Sequence, residues 1–285
     1  MKTNTFIRMV TKGIEIIRKE AISFVPTQKT GYDGVDDDLV TSADFAAQDF
    51  YQKELEAVAP RDGIIGEEKL NKKSKNGNYF TIDPLDGTQA FGRKQSIGVG
   101  TMLAHVTKKG EVDMACVGDV NTGEIFYYDA KTIPTRIRFD RWTDLPTATL
   151  IPIQKLCVVL REHTENHPDI LQDMCRKERG GIFGNINIES GSIGIKMSRL
   201  WKDEVGMIIL MPHHNTPWDS APFIGMNKKL NIVHIALDPM TLKAEVFEPV
   251  PTKEIVYRSN FELITRKEYV PAVLGWIEEW KKKHA

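Results

Sequence analysis

At 285 residues the chain can bury a substantial core, as one large domain or two smaller ones. Lys and Arg number 38 against 39 Asp and Glu, a formal charge of -1, so no global field draws the chain to a nucleic acid polymer or an anionic membrane. No run approaches the ~18 apolar residues of a membrane span, the start lacks a signal peptide's apolar core, and Cys116, Cys157 and Cys175 show no C-x-x-C spacing, so a cytoplasmic protein with reduced thiols is expected.

Phe6, Val10, Ile14, Ile17 and Ala21 recur at helical spacing, predicting an amphipathic helix from about residue 3 to 25 that ends near Pro26. Residues 27–38 follow as a polar, glycine-punctuated loop whose acidic run does not fit a calcium-loop pattern. Thr41 or Ser42 caps a helix running to about Val58, with Asp44 near its start, where the macrodipole favours an acid. Ile64-Ile65 is a short strand leading to Gly66-Glu67-Glu68, and 69–78 is a charged loop.

The run Tyr79-Phe80-Thr81-Ile82 delivers Asp83-Pro84-Leu85-Asp86-Gly87-Thr88 to a strand end. Two carboxylates three residues apart on a stiffened, bent backbone are hard oxygen donors that suit Mg²⁺. Gly87 permits close backbone approach, and the amides of Gly87 and Thr88, opening a helix, would suit a phosphate oxygen. Standing alone, such a segment is better read as an acidic solvated turn.

Alternating residues from Ser96 to about Asp129, with turns at Gly110 and Gly123, predict an antiparallel meander; His105 on it reads as a packed or edge histidine. Residues 131–149 form an irregular connection with an edge strand, and the chain divides near 150 into halves 1–150 and 151–285. The second half is expected to run as a strand at 155–160, a helix at 168–177, a short strand at 181–183, and a helix opened by Gly191-Ser192-Ile193-Gly194. A buried strand from Val205 to Met211 leads to His213-His214 and to Trp218-Asp219, where Asp219 reads as an N-cap. Strands at 232–237, 244–247 and 262–265 and a helix from Lys267 to about Lys283 complete the chain.

In order and spacing, Val40-Thr41-Ser42-Ala43-Asp44, Gly66-Glu67-Glu68, Asp83 to Thr88, Gly191-Ser192 and Trp218-Asp219 resemble the inositol monophosphatase superfamily across most of the chain. The resemblance implies a Mg²⁺-dependent, lithium-sensitive phosphomonoesterase with an α+β/α/β layered αβαβα sandwich. Its antiparallel sheet lies in the first half and a second mixed sheet in the other. It further implies two or three Mg²⁺ ions, with Mn²⁺ a possible substitute, and a homodimer. Glu67, Asp83 and the Leu85 carbonyl would hold one ion and Asp83, Asp86 and Asp219 another, with Glu68 behind them. Asp44 and Thr88 would activate the attacking water, assisted by Glu67 as a ligand to the metal. Gly87, Thr88, Gly191, Ser192 and His213 would face the substrate, and a flexible hairpin would bring Lys29 toward the site. Adjacent His213 and His214 lie on different faces of an extended chain, so they are not expected to chelate one metal together.

The expected substrate is a small phosphorylated polyol. A bisphosphate nucleotidase or sugar bisphosphatase is the alternative, because Gln89-Ala90-Phe91 after the motif matches neither group's usual continuation. A haloacid-dehalogenase-type D-x-D-x-T motif is disfavoured by the extra residue between Asp83 and Asp86. A metal-binding scaffold without turnover is the non-enzymatic alternative.

Overall fold

The computed structural model describes residues 3–31, 34, 38–68, 70–149 and 151–284. Helix α1 (Thr3–Glu20) ends before the expected Pro26 and is followed by a ribbon of β1 (Pro26–Lys29) and β2 (Asp38–Thr41), paired antiparallel. The ends of the expected loop are thus strands; Asp33, Asp36 and Asp37 of its acidic run lie outside the described residues. Thr41 caps α2 (Ser42–Val58) through a capping box in which Asp44, at the third helical position, reaches back to the Thr41 amide.

Strands β3 (Gly63–Gly66), β4 (Asn71–Lys72) and β5 (Tyr79–Asp86) precede the short helix α3 (Thr88–Gly92). The meander follows as β6 (Gly100–Val106), β7 (Val112–Asp119) and β8 (Ile125–Asp129). Two further strands, β9 (Thr135–Arg138) and β10 (Arg141–Asp144), extend it through a region expected to be mostly irregular. Among the described residues the sheet order is β10-β9-β8-β7-β6-β5-β3-β4, antiparallel throughout except for β3 beside β5.

In the second half β11 (Cys157–Leu160) leads to α4 (Asp169–Cys175) and then to β12 (Asn185–Ile188), which replaces the strand expected at 181–183. A Cβ on Gly181 would lie 2.5 Å from the Met174 carbonyl, so that stretch packs back on α4 instead of extending. Next come α5 (Ile193–Trp201), β13 (Val205–Leu210), β14 (His213–Asn215), α6 (Pro217–Lys229), β15 (Ile232–Leu237) and β16 (Ala244–Phe247). The chain closes with β17 (Val256–Arg258), β18 (Phe261–Arg266) and α7 (Val270–His284). The mixed second sheet runs β12-β11-β13-β18-β15-β16, and β14 pairs with β17 as a separate ribbon.

Side-chain alternation on the strands builds the layers. Leu103 and Cys116 join Phe6, Val10, Tyr51 and Leu55 of α1 and α2, whereas Met102, Ala104 and Val117 face Met197, Trp201 and Phe223 of α5 and α6. Likewise Ile208 faces α5 and α6, while Met207 and Ile209 face α4 and α7. The order helix, sheet, helix, sheet, helix follows, and α5 and α6 are covered on both sides. Burial of Phe6, Met9, Val10, Ile14 and Ile17 gives α1 about 1.5–3 kcal/mol per side chain toward docking. Cys116, Cys157 and Cys175 are free thiols, and no helix among the described residues is long and apolar enough to cross a membrane.

Candidate active site

The ends of β3, β5 and β13 and the starts of α5 and α6 surround a cavity of about 480 Å³. In a regular strand Asp83 and Asp86 would point to opposite faces. Pro84 has no amide to give the ladder, and the pairing of β5 with β6 shifts register between Asp83 and Asp86. That irregularity turns both carboxylates into the cavity. Asp219 joins them from the third position of α6, not from its N-cap as expected. Thr216 is the cap, and its hydroxyl accepts from the Asp219 amide. Oxygens of Asp83, Asp86 and Asp219 all lie within 4.8 Å of one another. Glu67 enters the same cavity from the end of β3.

Burial, with mutual repulsion added, shifts these acids upward. Glu67 is pushed up to about 8, against the pull of Lys29, and Asp219 to about 6, by burial and then by Asp86. Asp83 is raised well above the ordinary range by burial and by Glu67 and Asp86. Asp86 is raised less freely, because the Ser192 hydroxyl and the amides of Gly194 (2.9 Å) and Ile193 (3.2 Å) donate to its carboxylate. A buried nest of hard oxygen donors that resist ionisation is a fitting host for Mg²⁺.

Lys29 stands at the mouth of this nest, its Nζ 3.1 Å from Glu67, 2.6 Å from Glu68 and 3.7 Å from Asp38. Burial pulls the ammonium down, but Glu67 and Glu68 outweigh it and hold it above the ordinary lysine range. Glu68 is fixed to α2 as well, since Gln48 both donates to its carbonyl and accepts from its amide, each at 3.2 Å.

Thr88, lining the cavity, has its Oγ1 3.2 Å from Asp44 Oδ1 and 3.0 Å from the Leu85 carbonyl, so its single proton has two acceptors. Asp44 is fully buried and reaches the cavity only through Thr88. Burial lifts Asp44 to about 6 despite donation from the Thr41 amide and hydroxyl, both at 2.7 Å.

Of the residues expected to face substrate, Gly87, Thr88, Gly191 and His213 line the cavity. Ser192 does not: it is fully buried, donates to Asp86 and caps α5 by accepting from the Ile195 amide. Its role is to position Asp86, 106 residues away in sequence. Gly87 has φ +89°, and a Cβ there would meet the Gly98 carbonyl at 2.3 Å and the Ser192 amide at 2.8 Å. His214 also lines the cavity, its ring 6.0 Å from that of His213, because the narrow ribbon carries both along its rim.

Cationic wall residues escaped the sequence reading. Lys196 of α5 is 5 % exposed, and its pKa is lowered to about 8 by burial and by Arg161. Arg161 and Arg258 line the same cavity. A lysine within the apolar stripe of α5 was the available signal for Lys196; Arg258 had none.

A sequence model described as the inositol monophosphatase family matches residues 2–224. A protein named histidinol-phosphatase from Chlorobaculum parvum is 33% identical over 199 residues, 66% of this chain and 69% of the relative. Among solved structures, the extragenic suppressor protein suhB from Bartonella henselae superposes with a TM-score of 0.73 at 13% identity, over 96% of this chain and 97% of the other. An IMPase from Thermotoga maritima gives 0.71 at 17% identity, over 98% and 97%. A structure described as IMPase/NADP phosphatase complexed with Mg²⁺ and phosphate gives 0.69 at 17% identity, over 93% and 90%. The mixed α/β sandwich is therefore the fold of these proteins.

Proposed function

The chain belongs to the inositol monophosphatase family and is a phosphoric monoester hydrolase, and from that premise we propose that it removes phosphate from a small polyol in a Mg²⁺-dependent reaction. The observation that carries this reading is the convergence of Glu67, Asp83, Asp86 and Asp219 on one cavity with the Thr88–Asp44 pair beside them.

Glu67, Asp83 and the Leu85 carbonyl would hold one Mg²⁺, and Asp83, Asp86 and Asp219 would hold a second. Bound there, Mg²⁺ supplies Lewis acidity that makes water a better nucleophile at neutral pH and offsets charge on the phosphoryl and leaving oxygens. The chain's own residues handle the proton. Thr88 Oγ1 orients the attacking water and accepts its proton as the threonine proton moves to Asp44 Oδ1. A carboxyl held near 6 can accept that proton at neutral pH without being protonated beforehand. Gly87 and Thr88 line the cavity, and their amides would donate to phosphoryl oxygens, which grow more negative in the transition state.

A second reading, a phosphorylated amino alcohol of the histidinol phosphate type, is favoured by the relative of that name, and Glu162 on the cavity wall offers a carboxylate for its ammonium. The test is phosphate release at fixed Mg²⁺, with and without lithium. The panel is inositol 1-phosphate, histidinol phosphate, 3'-phosphoadenosine 5'-phosphate, fructose 1,6-bisphosphate and NADP⁺. A lithium-sensitive preference for inositol 1-phosphate, abolished in Asp83→Asn, is the expected result. No release from any of them by folded protein would favour a metal-binding scaffold.

A further inference from the structure

Arg258 ends β17 and pairs across the ribbon with His213, and both line the cavity. It lies beyond residue 224, where the family match stops. One Nη of its guanidinium donates to Glu262 and the other to the Met211 carbonyl at 2.8 Å. Its Nε is buried without a hydrogen-bond partner among the described residues.

Behind Arg258 runs a buried chain of hydrogen bonds whose direction is fixed by chemistry. Trp201 Nε1 can only donate, and it donates to Asn227 Oδ1 at 2.7 Å. Asn227 must then present its Nδ2 to His234 Nε2, 3.0 Å away, which makes that ring nitrogen an acceptor. His234 is therefore the neutral tautomer protonated at Nδ1, and it donates to Glu262 at 2.5 Å. Burial alone would push Glu262 up, but the bonds from His234 and Arg258 reverse that and hold it below the ordinary carboxylate range. Trp201, Asn227, His234 and Glu262 are each at most 5 % exposed. The construction spans α5, α6, β15, β18 and β17 and terminates at one side chain on the cavity wall.

We propose that Arg258 recognises a hydrogen-bond acceptor on the alcohol portion of the substrate, and that Trp201, Asn227, His234 and Glu262 are positioning residues that fix its guanidinium there. Glu262 cancels the net charge of Arg258, so the pair presents oriented N–H groups with little net field. Such a pair selects a neutral acceptor, a hydroxyl oxygen or ring nitrogen, over a second dianion. This rests on the phosphatase reading above.

The experiment compares the hydroxyl- or nitrogen-bearing ester that the panel shows to be turned over best with phenyl phosphate, whose alcohol portion carries no such acceptor. Wild-type protein should favour the former in kcat/KM. Arg258→Met should collapse that preference by roughly tenfold, the size of one charge-assisted hydrogen bond, with the loss residing in KM. Arg258→Lys should recover only part of it, because an ammonium cannot hold Glu262 and the Met211 carbonyl as a fork. Glu262→Gln should reduce the preference severalfold, again through KM. An unchanged preference in Arg258→Met overturns the recognition role, and an unchanged one in Glu262→Gln overturns the positioning role. Equal kcat losses on both esters would mark the chain as merely structural and overturn both. Phosphate release from neither ester by wild-type protein would sink the phosphatase reading itself, a result distinct from all of these.

Discussion

The buried acids make the metal-free protein's stability fall as pH rises, and Mg²⁺ should remove that dependence. Glu67 ordinarily titrates near 4.5 and is held near 8 in the fold; Asp219 and Asp44 ordinarily titrate near 3.8 and are held near 6. Each folded value lies above its unfolded one, so the folded protein retains protons that the unfolded chain has released. Stability from this source is full below about pH 4 and is lost as pH climbs toward 8. From pH 6 to 8 the proton that Glu67 retains is worth about 1.4 kcal/mol per pH unit, or about 2–3 kcal/mol, and the raised Asp83 and Asp86 act in the same direction. For a chain of this size that corresponds to roughly 3–5 °C in Tm. Mg²⁺ favours the ionised carboxylates, so its stabilising increment should be small at pH 5.5 and grow by that amount at pH 8. Thermal unfolding at both pH values, in chelator and in saturating Mg²⁺, measures the four Tm values. His105, also raised, contributes equally with and without metal and cancels in the difference. Above pH 8 the lowered pKa of Lys196 adds an opposite slope, so the window stops there. An Mg²⁺ increment identical at pH 5.5 and 8 would refute the reasoning.

Thr88→Ala and Asp44→Asn should each lower kcat by about a hundredfold or more with KM little changed. The double variant should be hardly worse than either, because one proton path is removed once; additive losses would separate the two roles. Asp219→Asn removes a proposed ligand and one of the repelling charges, so the metal-free Tm at pH 8 should rise while most of the Mg²⁺ increment disappears. Lys29→Met should tighten Mg²⁺ binding to Glu67 as measured by calorimetry while lowering the Tm of the metal-free protein; weaker binding would show that Lys29 assists the metal instead of competing with it. Gly87→Ala combines a left-handed φ with a 2.3 Å contact to a carbonyl that cannot swing away. It should cost about 2–4 kcal/mol, seen as a lower denaturant midpoint, and a Tm within a degree of wild type would contradict the packing described.

Local patterns carried much of the architecture. The Thr41 cap, the meander, the apolar stripe of α1 and the bent acidic strand end at Asp83 to Thr88 are each written in a few neighbouring residues, since capping, alternation and Pro or Gly geometry act over short range. Elements without such a signal went unread. Strands β14 and β17 are three residues each and exist because 213–215 and 256–258 meet across forty residues of chain, which no window of sequence displays. Helix α6 shows why Asp219 was placed one turn early. Thr216 and Asp219 are both plausible caps, and only the hydrogen bond from the Asp219 amide to the threonine decides between them.

The candidate site divides in the same way. Asp83, Asp86 and the Gly87 and Thr88 amides were legible from the bent strand end itself, whereas Asp44, Glu67 and Asp219 stood out only through the resemblance of their motifs to the family's, because a helix-start or surface acid has an ordinary local reading. Folding decided what each of them faces. It turned Ser192 inward to hold Asp86, set Lys29 between Glu67 and Glu68, and brought Lys196, Arg161 and Arg258 to the same cavity as the acids. Charge and hydrogen-bond partners depend on distances between segments a hundred residues apart. The sequence therefore offered candidate donors, and the tertiary structure chose their neighbours.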